Sequence, residues 1–95
     1  MSKPEWFMDV ENEVERQRRF IRENERIEAR LESNRPCTVL IRVQSVVFDG
    51  ESTRIKSKDR VFCIDALNQS VDIQSAVGEG IRRMVYDNRN EAIDE

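Results

Sequence analysis

The chain has 95 residues, 16 Lys and Arg against 19 Asp and Glu, a formal net charge of -3 and no histidine. That length makes one small domain, 1–95. Without histidine the commonest general base and the commonest metal ligand are both missing. No nucleophile motif or calcium-type carboxylate loop replaces them, so the expectation is a non-enzymatic protein with no cofactor and no metal.

The first predicted element is one long helix over 4–33. Pro4 suits a first-turn position, and no other Gly or Pro occurs before Pro36. Trp6, Phe7, Val10, Val14, Phe20, Ile21, Ile27 and Leu31 fall on one side at 100° per residue. A heptad frame places Phe7, Val10, Val14, Gln17, Ile21, Asn24, Glu28 and Leu31 at its inner positions. Such a helix would run roughly 43 Å and overhang a body about 30–35 Å across. It is also charge-blocked, with Glu5, Asp9, Glu11, Glu13 and Glu15 ahead of Arg16, Arg18, Arg19 and Arg22. An antiparallel coiled-coil homodimer would set opposite blocks face to face; the alternative is packing on the chain's own sheet.

A β-meander is predicted over 37–65. Residues 37–48 are rich in β-branched side chains, with Val39, Ile41, Val43 and Val47 on one face and Arg42 and Gln44 on the other. Val46 and Phe48 break this alternation, which predicts a bulge or a second buried face near Ser45. Asp49-Gly50 marks a turn, and a second strand, or two short ones, follows from about Thr53 to Ile64. In that register Cys37 and Cys63 lie across from one another within one residue, as a reduced pair. A helix is predicted over 70–88, with Ser70 as N-cap and Ile73, Ala76, Val77, Gly80, Ile81, Met84 and Val85 on its inner face. Gly78 and Gly80 cost that helix about 2 kcal/mol relative to alanine, which suggests a close approach by a neighbour or a kink. Residues 89–95 read as a polar tail.

The expected fold is α+β: a long N-terminal helix, a two- or three-stranded antiparallel meander, and a C-terminal helix on one sheet face. The order α-β-β-β-α resembles that of double-stranded-RNA-binding domains. The first helix reads as too long and acidic for that family, and residues 70–77 carry no cation, so the resemblance ends at element order.

Trp6, Phe7, Val10, Val14, Ile21 and Leu31 are the candidates for self-association. Arg54, Lys56, Lys58 and Arg60 alternate along one strand face and, joined by Arg42, form a cationic stripe for an acidic protein partner. The plainer reading of the stripe is a charged guard on an edge strand. Together these features describe a small regulatory protein, homodimeric, that binds and masks a partner protein. In size and composition it is like accessory and inhibitor proteins of phages and mobile elements. The alternative is a nucleic-acid-binding regulator using the stripe with Arg16, Arg18, Arg19, Arg22 and Arg26. No apolar run reaches the ~18 residues of a membrane span and the first fifteen residues have no secretory pattern, so a cytoplasmic location is expected, without membrane contact.

Overall fold

A computed structural model describes residues 3–66 and 70–90. Helix α1 spans Glu5–Gln17 and runs into a 3-10 turn, Arg18–Phe20. Strands β1 (Glu25–Leu31), β2 (Thr38–Phe48) and β3 (Thr53–Cys63) follow, then a second 3-10 turn and helix α2, Ser70–Asn90. The sheet is antiparallel in the order β1-β2-β3, and α2 packs on β2 and β3. The α-β-β-β-α order and the C-terminal helix on the sheet are as the sequence implies.

The long helix over 4–33 is not formed. Helix α1 has 13 residues, about 20 Å at 1.5 Å per residue, and Glu25–Leu31 is strand instead. The segment Glu-Arg-Ile-Glu-Ala-Arg-Leu satisfies two periods at once. Ile27 and Leu31 are four apart, as on a helix face, yet Ile27, Ala29 and Leu31 also alternate with Arg26, Glu28 and Arg30, as on a strand. Its helix-favouring residues are overruled by the needs of β2. With β1 in place, the even-numbered main-chain groups of β2 gain a ladder that would otherwise stand open beside a fully buried row, Val39, Ile41 and Val43.

The heptad frame therefore spans a helix, a turn and a strand, and no overhanging rod exists. Phe7, Val10 and Val14 are buried in the chain's own core, with Trp6, Ile21 and Leu31 packed against it. The seam expected for self-association is thus consumed within one chain. The charge blocks are paired locally too, Glu13 with Arg16 and Glu15 with Arg18.

The core lies between the helices and one sheet face. Phe7, Val10 and Val14 come from α1, Ile27 from β1, the valine–isoleucine row from β2, and Phe62 from β3. From α2 come Ile73, Val77, Ile81, Met84 and Val85, the apolar stripe read from the sequence. Both α2 glycines sit at close approaches. At Gly78 a Cβ would collide with the buried Glu13 carboxylate, whose Oε2 accepts a hydrogen bond from Gln17 at 2.7 Å. At Gly80 it would meet the Phe62 ring at 2.5 Å. Bare backbone is what lets α2 settle onto α1 and β3.

Helix α2 continues past 88, so Arg89 and Asn90 belong to it rather than to a tail. Asn88 is buried and donates from Nδ2 to Ser45 Oγ at 2.9 Å. Arg89 forks onto Glu25 of β1, Nε to Oε2 at 2.6 Å and Nη2 to Oε1 at 2.5 Å. The rest of the expected tail, 91–95, and the side chain of Ser70 lie outside the described residues.

Candidate interaction surface

Directly opposed residues on neighbouring antiparallel strands point to the same side, so the register assigns every side chain to one of two faces. Pairing of β2 with β3 runs unbroken from Thr38↔Cys63 to Phe48↔Thr53. There is no bulge at Ser45. The helix-side face carries Val39, Ile41, Val43 and Ser45 of β2 opposite Phe62, Arg60, Lys58 and Lys56 of β3. The other face carries Arg26, Glu28 and Arg30 of β1, Leu40, Arg42, Gln44, Val46 and Phe48 of β2, and Ile55, Ser57, Asp59 and Val61 of β3.

The break in alternation at Val46 and Phe48 has another meaning. Strand β1 stops pairing where Glu25 meets Ser45, with two further bonds, Val46 N–H to Asn24 O at 2.9 Å and Asn24 Nδ2 to Val46 O at 3.0 Å. Helix α2 reaches the sheet at the same level, through Asn88 and Ser45. Beyond Ser45 the β2–β3 hairpin continues as a two-stranded arm. It carries apolar side chains on both faces: Val46, Phe48 and Ile55 on one, Val47 on the other. Their exposures are 36%, 68%, 63% and 39%, and no described element covers them. The second buried face expected near Ser45 is not formed: the side chains there are apolar, but they are exposed.

The arm's tip is braced from within. Asp49 Oδ1 accepts the N–H groups of Glu51 (3.1 Å) and Ser52 (2.9 Å), Asp49 N–H donates to Ser52 O (3.1 Å), and Gly50 takes φ +98°. That φ favours glycine. The two backbone donors, Ser52 first, hold the Asp49 carboxyl below its usual value.

Arg54, Lys56, Lys58 and Arg60 do share one face, the helix side of β3, where the Arg60 guanidinium stands 5.0 Å over the Phe62 ring. Arg42 does not join them. It projects from the opposite face and clasps Asp59 with two bonds, 2.8 and 2.9 Å. That side-chain bond raises the Arg42 pKa and lowers that of Asp59. The arginine block expected on one helix is dispersed. Arg16 pairs with Glu13, Arg18 Nη2 donates to Ile27 O at 3.0 Å, Arg26 projects from the sheet's outer face, and Arg19 and Arg22 are exposed around the turn.

Cys63 faces Thr38, one residue from the expected Cys37, and both thiols are free. The Asp65 carboxylate beside Cys37 is the chief cause that pushes its thiol above the ordinary value. Among the described residues no cluster of three or more His, Cys, Asp or Glu side chains could hold a metal ion, and no helix is long and apolar enough to cross a membrane.

No family model matches the chain, and neither curated proteins nor solved structures include a significant match.

Proposed function

We propose that the protein is a non-enzymatic interaction protein that docks its β2–β3 arm onto a partner protein and masks that partner's surface. The observation that carries this reading is the exposure of Val46, Val47, Phe48 and Ile55 on both sides of one rigidly turned hairpin. Contiguous apolar surface of this kind is costly in water and marks contact sites. Aromatic side chains such as Phe48 are enriched at the buried centres of protein interfaces. The dispersal of Arg16, Arg18, Arg19, Arg22 and Arg26 over a helix, a turn and a strand disfavours the nucleic-acid alternative, which needs them on one face.

The test is affinity capture from the native host with wild type and with the double variant Phe48→Asp/Ile55→Asp. Both positions are exposed, so stability should change by no more than about 0.5 kcal/mol per site. A partner retained by wild type should be lost by the variant at equal protein level. Equal recovery by both rules the arm out. A gel shift at low salt tests the alternative: binding to DNA or RNA that falls by about 10³ between 50 and 200 mM salt would replace this reading.

A further inference from the structure

The two outer edges of the sheet differ. In β1–β2, Val46 N–H donates to Asn24 O and Glu32 N–H to Thr38 O. Even-numbered β1 residues therefore bond inward, and Glu25, Ile27, Ala29 and Leu31 turn their main-chain groups outward. Two of those four positions are already engaged: Glu25 N–H donates to Arg22 O at 3.0 Å, and Ile27 O accepts from Arg18.

In β2–β3, Ile64 N–H donates to Cys37 O at 2.7 Å and Asp49 N–H to Ser52 O at 3.1 Å, in the same register as the strands between them. Even-numbered β3 residues therefore bond inward. Ile55, Ser57, Asp59 and Val61 direct their N–H and C=O groups outward, along an edge 11 residues long that no further described strand covers.

The side chains along this edge state what could add to it. The helix side presents Arg54, Lys56, Lys58 and Arg60 in succession, Arg54 also donating from Nη2 to Asp49 Oδ2 at 3.4 Å. At these positions an added antiparallel strand forms non-hydrogen-bonded pairs, where opposed side chains come closest. Arg83 of α2 extends the positive charge across a groove of about 670 Å³ beside the C-terminal half of β3, with Glu79 as the one acidic group lining it. On the outer face, Ile55 and Val61 flank Ser57 and Asp59. A second copy is the wrong occupant: paired antiparallel about Ser57, its Lys58 would face Lys56 and its Arg60 would face Arg54.

Resting on the reading of the protein as a partner-binding module, we infer that β3 takes up an extended acidic segment of the partner as a fourth antiparallel strand, with Asp or Glu at every second position facing Arg54, Lys56, Lys58 and Arg60.

The probe is the fluorescein-labelled peptide Val-Glu-Thr-Glu-Thr-Glu-Val-Glu, followed by anisotropy with the full chain. A scrambled peptide of the same composition is the control. Wild type should bind the alternating peptide saturably and the scrambled one at least about tenfold more weakly. Lys56→Glu/Lys58→Glu should weaken binding by about tenfold or more, because two cross-strand pairs change from attractive to repulsive. Ser57→Pro removes an outward N–H and leaves the β2 ladder intact, an edge-strand setting that tolerates proline; it should cost a similar factor, with the far-ultraviolet circular dichroism retained.

Absence of saturable binding up to about 1 mM, equal affinity for the scrambled peptide, or unchanged affinity of the folded Ser57→Pro variant overturns the inference. So does displacement of the peptide by an eight-nucleotide oligouridylate at equal concentration, which would assign the cations to phosphate. Phe48 lies on β2 and takes no part in the β3 edge, so capture with the single variant Phe48→Asp tests the masking role separately, and strand addition can fail while that role stands.

Discussion

Replacing Arg89 by alanine should destabilise the protein by about 2–3 kcal/mol, lowering Tm by roughly 10–20 °C for a domain of this size. Glu25 is only 3% exposed and accepts two bonds from the Arg89 guanidinium and a third from Arg22 N–H at 2.7 Å. Removing the arginine leaves a desolvated carboxylate with one backbone donor. Loss of one member of a fully buried pair costs about 3–5 kcal/mol. The Arg89 side chain keeps 28% exposure, so water recovers part of that cost. Arg89 Nη2 also donates to Phe20 O at 3.3 Å; the variant therefore loosens the end of α2, the start of β1 and the turn after α1 together. Lysine at 89 should restore only part of the loss, since a point charge cannot fork onto both oxygens.

The same pair sets a pH dependence. The Arg89 bond, opposed by burial and helped by the Arg22 N–H, lowers the Glu25 pKa from its ordinary value of 4.5. A carboxyl with a depressed folded-state pKa contributes stability that is fully present above its unfolded value and is lost as pH falls through the folded value. Urea unfolding of wild type and Arg89→Ala should therefore differ most at neutral pH and converge as pH falls below 4.5. A difference under about 0.5 kcal/mol at pH 7, or one that does not narrow in acid, would show that the pair does not fasten α2 to β1.

The second large effect is at Gly80, where two principles give opposite signs. Helix propensity favours alanine over glycine by about 1 kcal/mol at an interior position. Packing forbids it: the added Cβ would stand 2.5 Å from Phe62 Cζ and 3.0 Å from Cε2. That ring is buried at 8% exposure beneath the Arg60 guanidinium, and overpacking of this kind costs about 1–3 kcal/mol. Gly80→Ala should destabilise by about 1 kcal/mol net, and Gly80→Val by about 3 kcal/mol, because valine adds two methyl groups and loses χ1 freedom. Phe62→Leu should remove most of the penalty, so a double-mutant cycle with Gly80→Ala should show a coupling of about 1 kcal/mol. A stabilised Gly80→Ala would mean that α2 stands farther from β3 than the structure has it.

These two sites illustrate what was legible in the sequence. The glycine pair stood out because an interior helix glycine needs a compensating contact. The residues making that contact, Phe62 and Glu13, lie 18 and 65 positions away from Gly80 and Gly78, beyond any local pattern. The arm was half legible. The break at Val46 and Phe48 was visible, but whether a second apolar face is buried or bare depends on where β1 and α2 stop. Ile55 gave no local signal, because its neighbours are charged or polar and only the register sets it beside Val46.

The sequence by itself determined the inner faces of α2 and β2, the Asp49-Gly50 turn and the alternation of cations along β3. Each follows from local periodicity or from one residue's backbone preference. Only the tertiary structure decided the state of 25–31, the side of the sheet from which Arg42 projects, and the role of Arg89. A segment whose apolar residues satisfy both the helical and the strand period has no local preference strong enough to choose. The choice falls to the partner with unpaired backbone groups, and that partner, β2, is separate in sequence and adjacent only once the chain has folded.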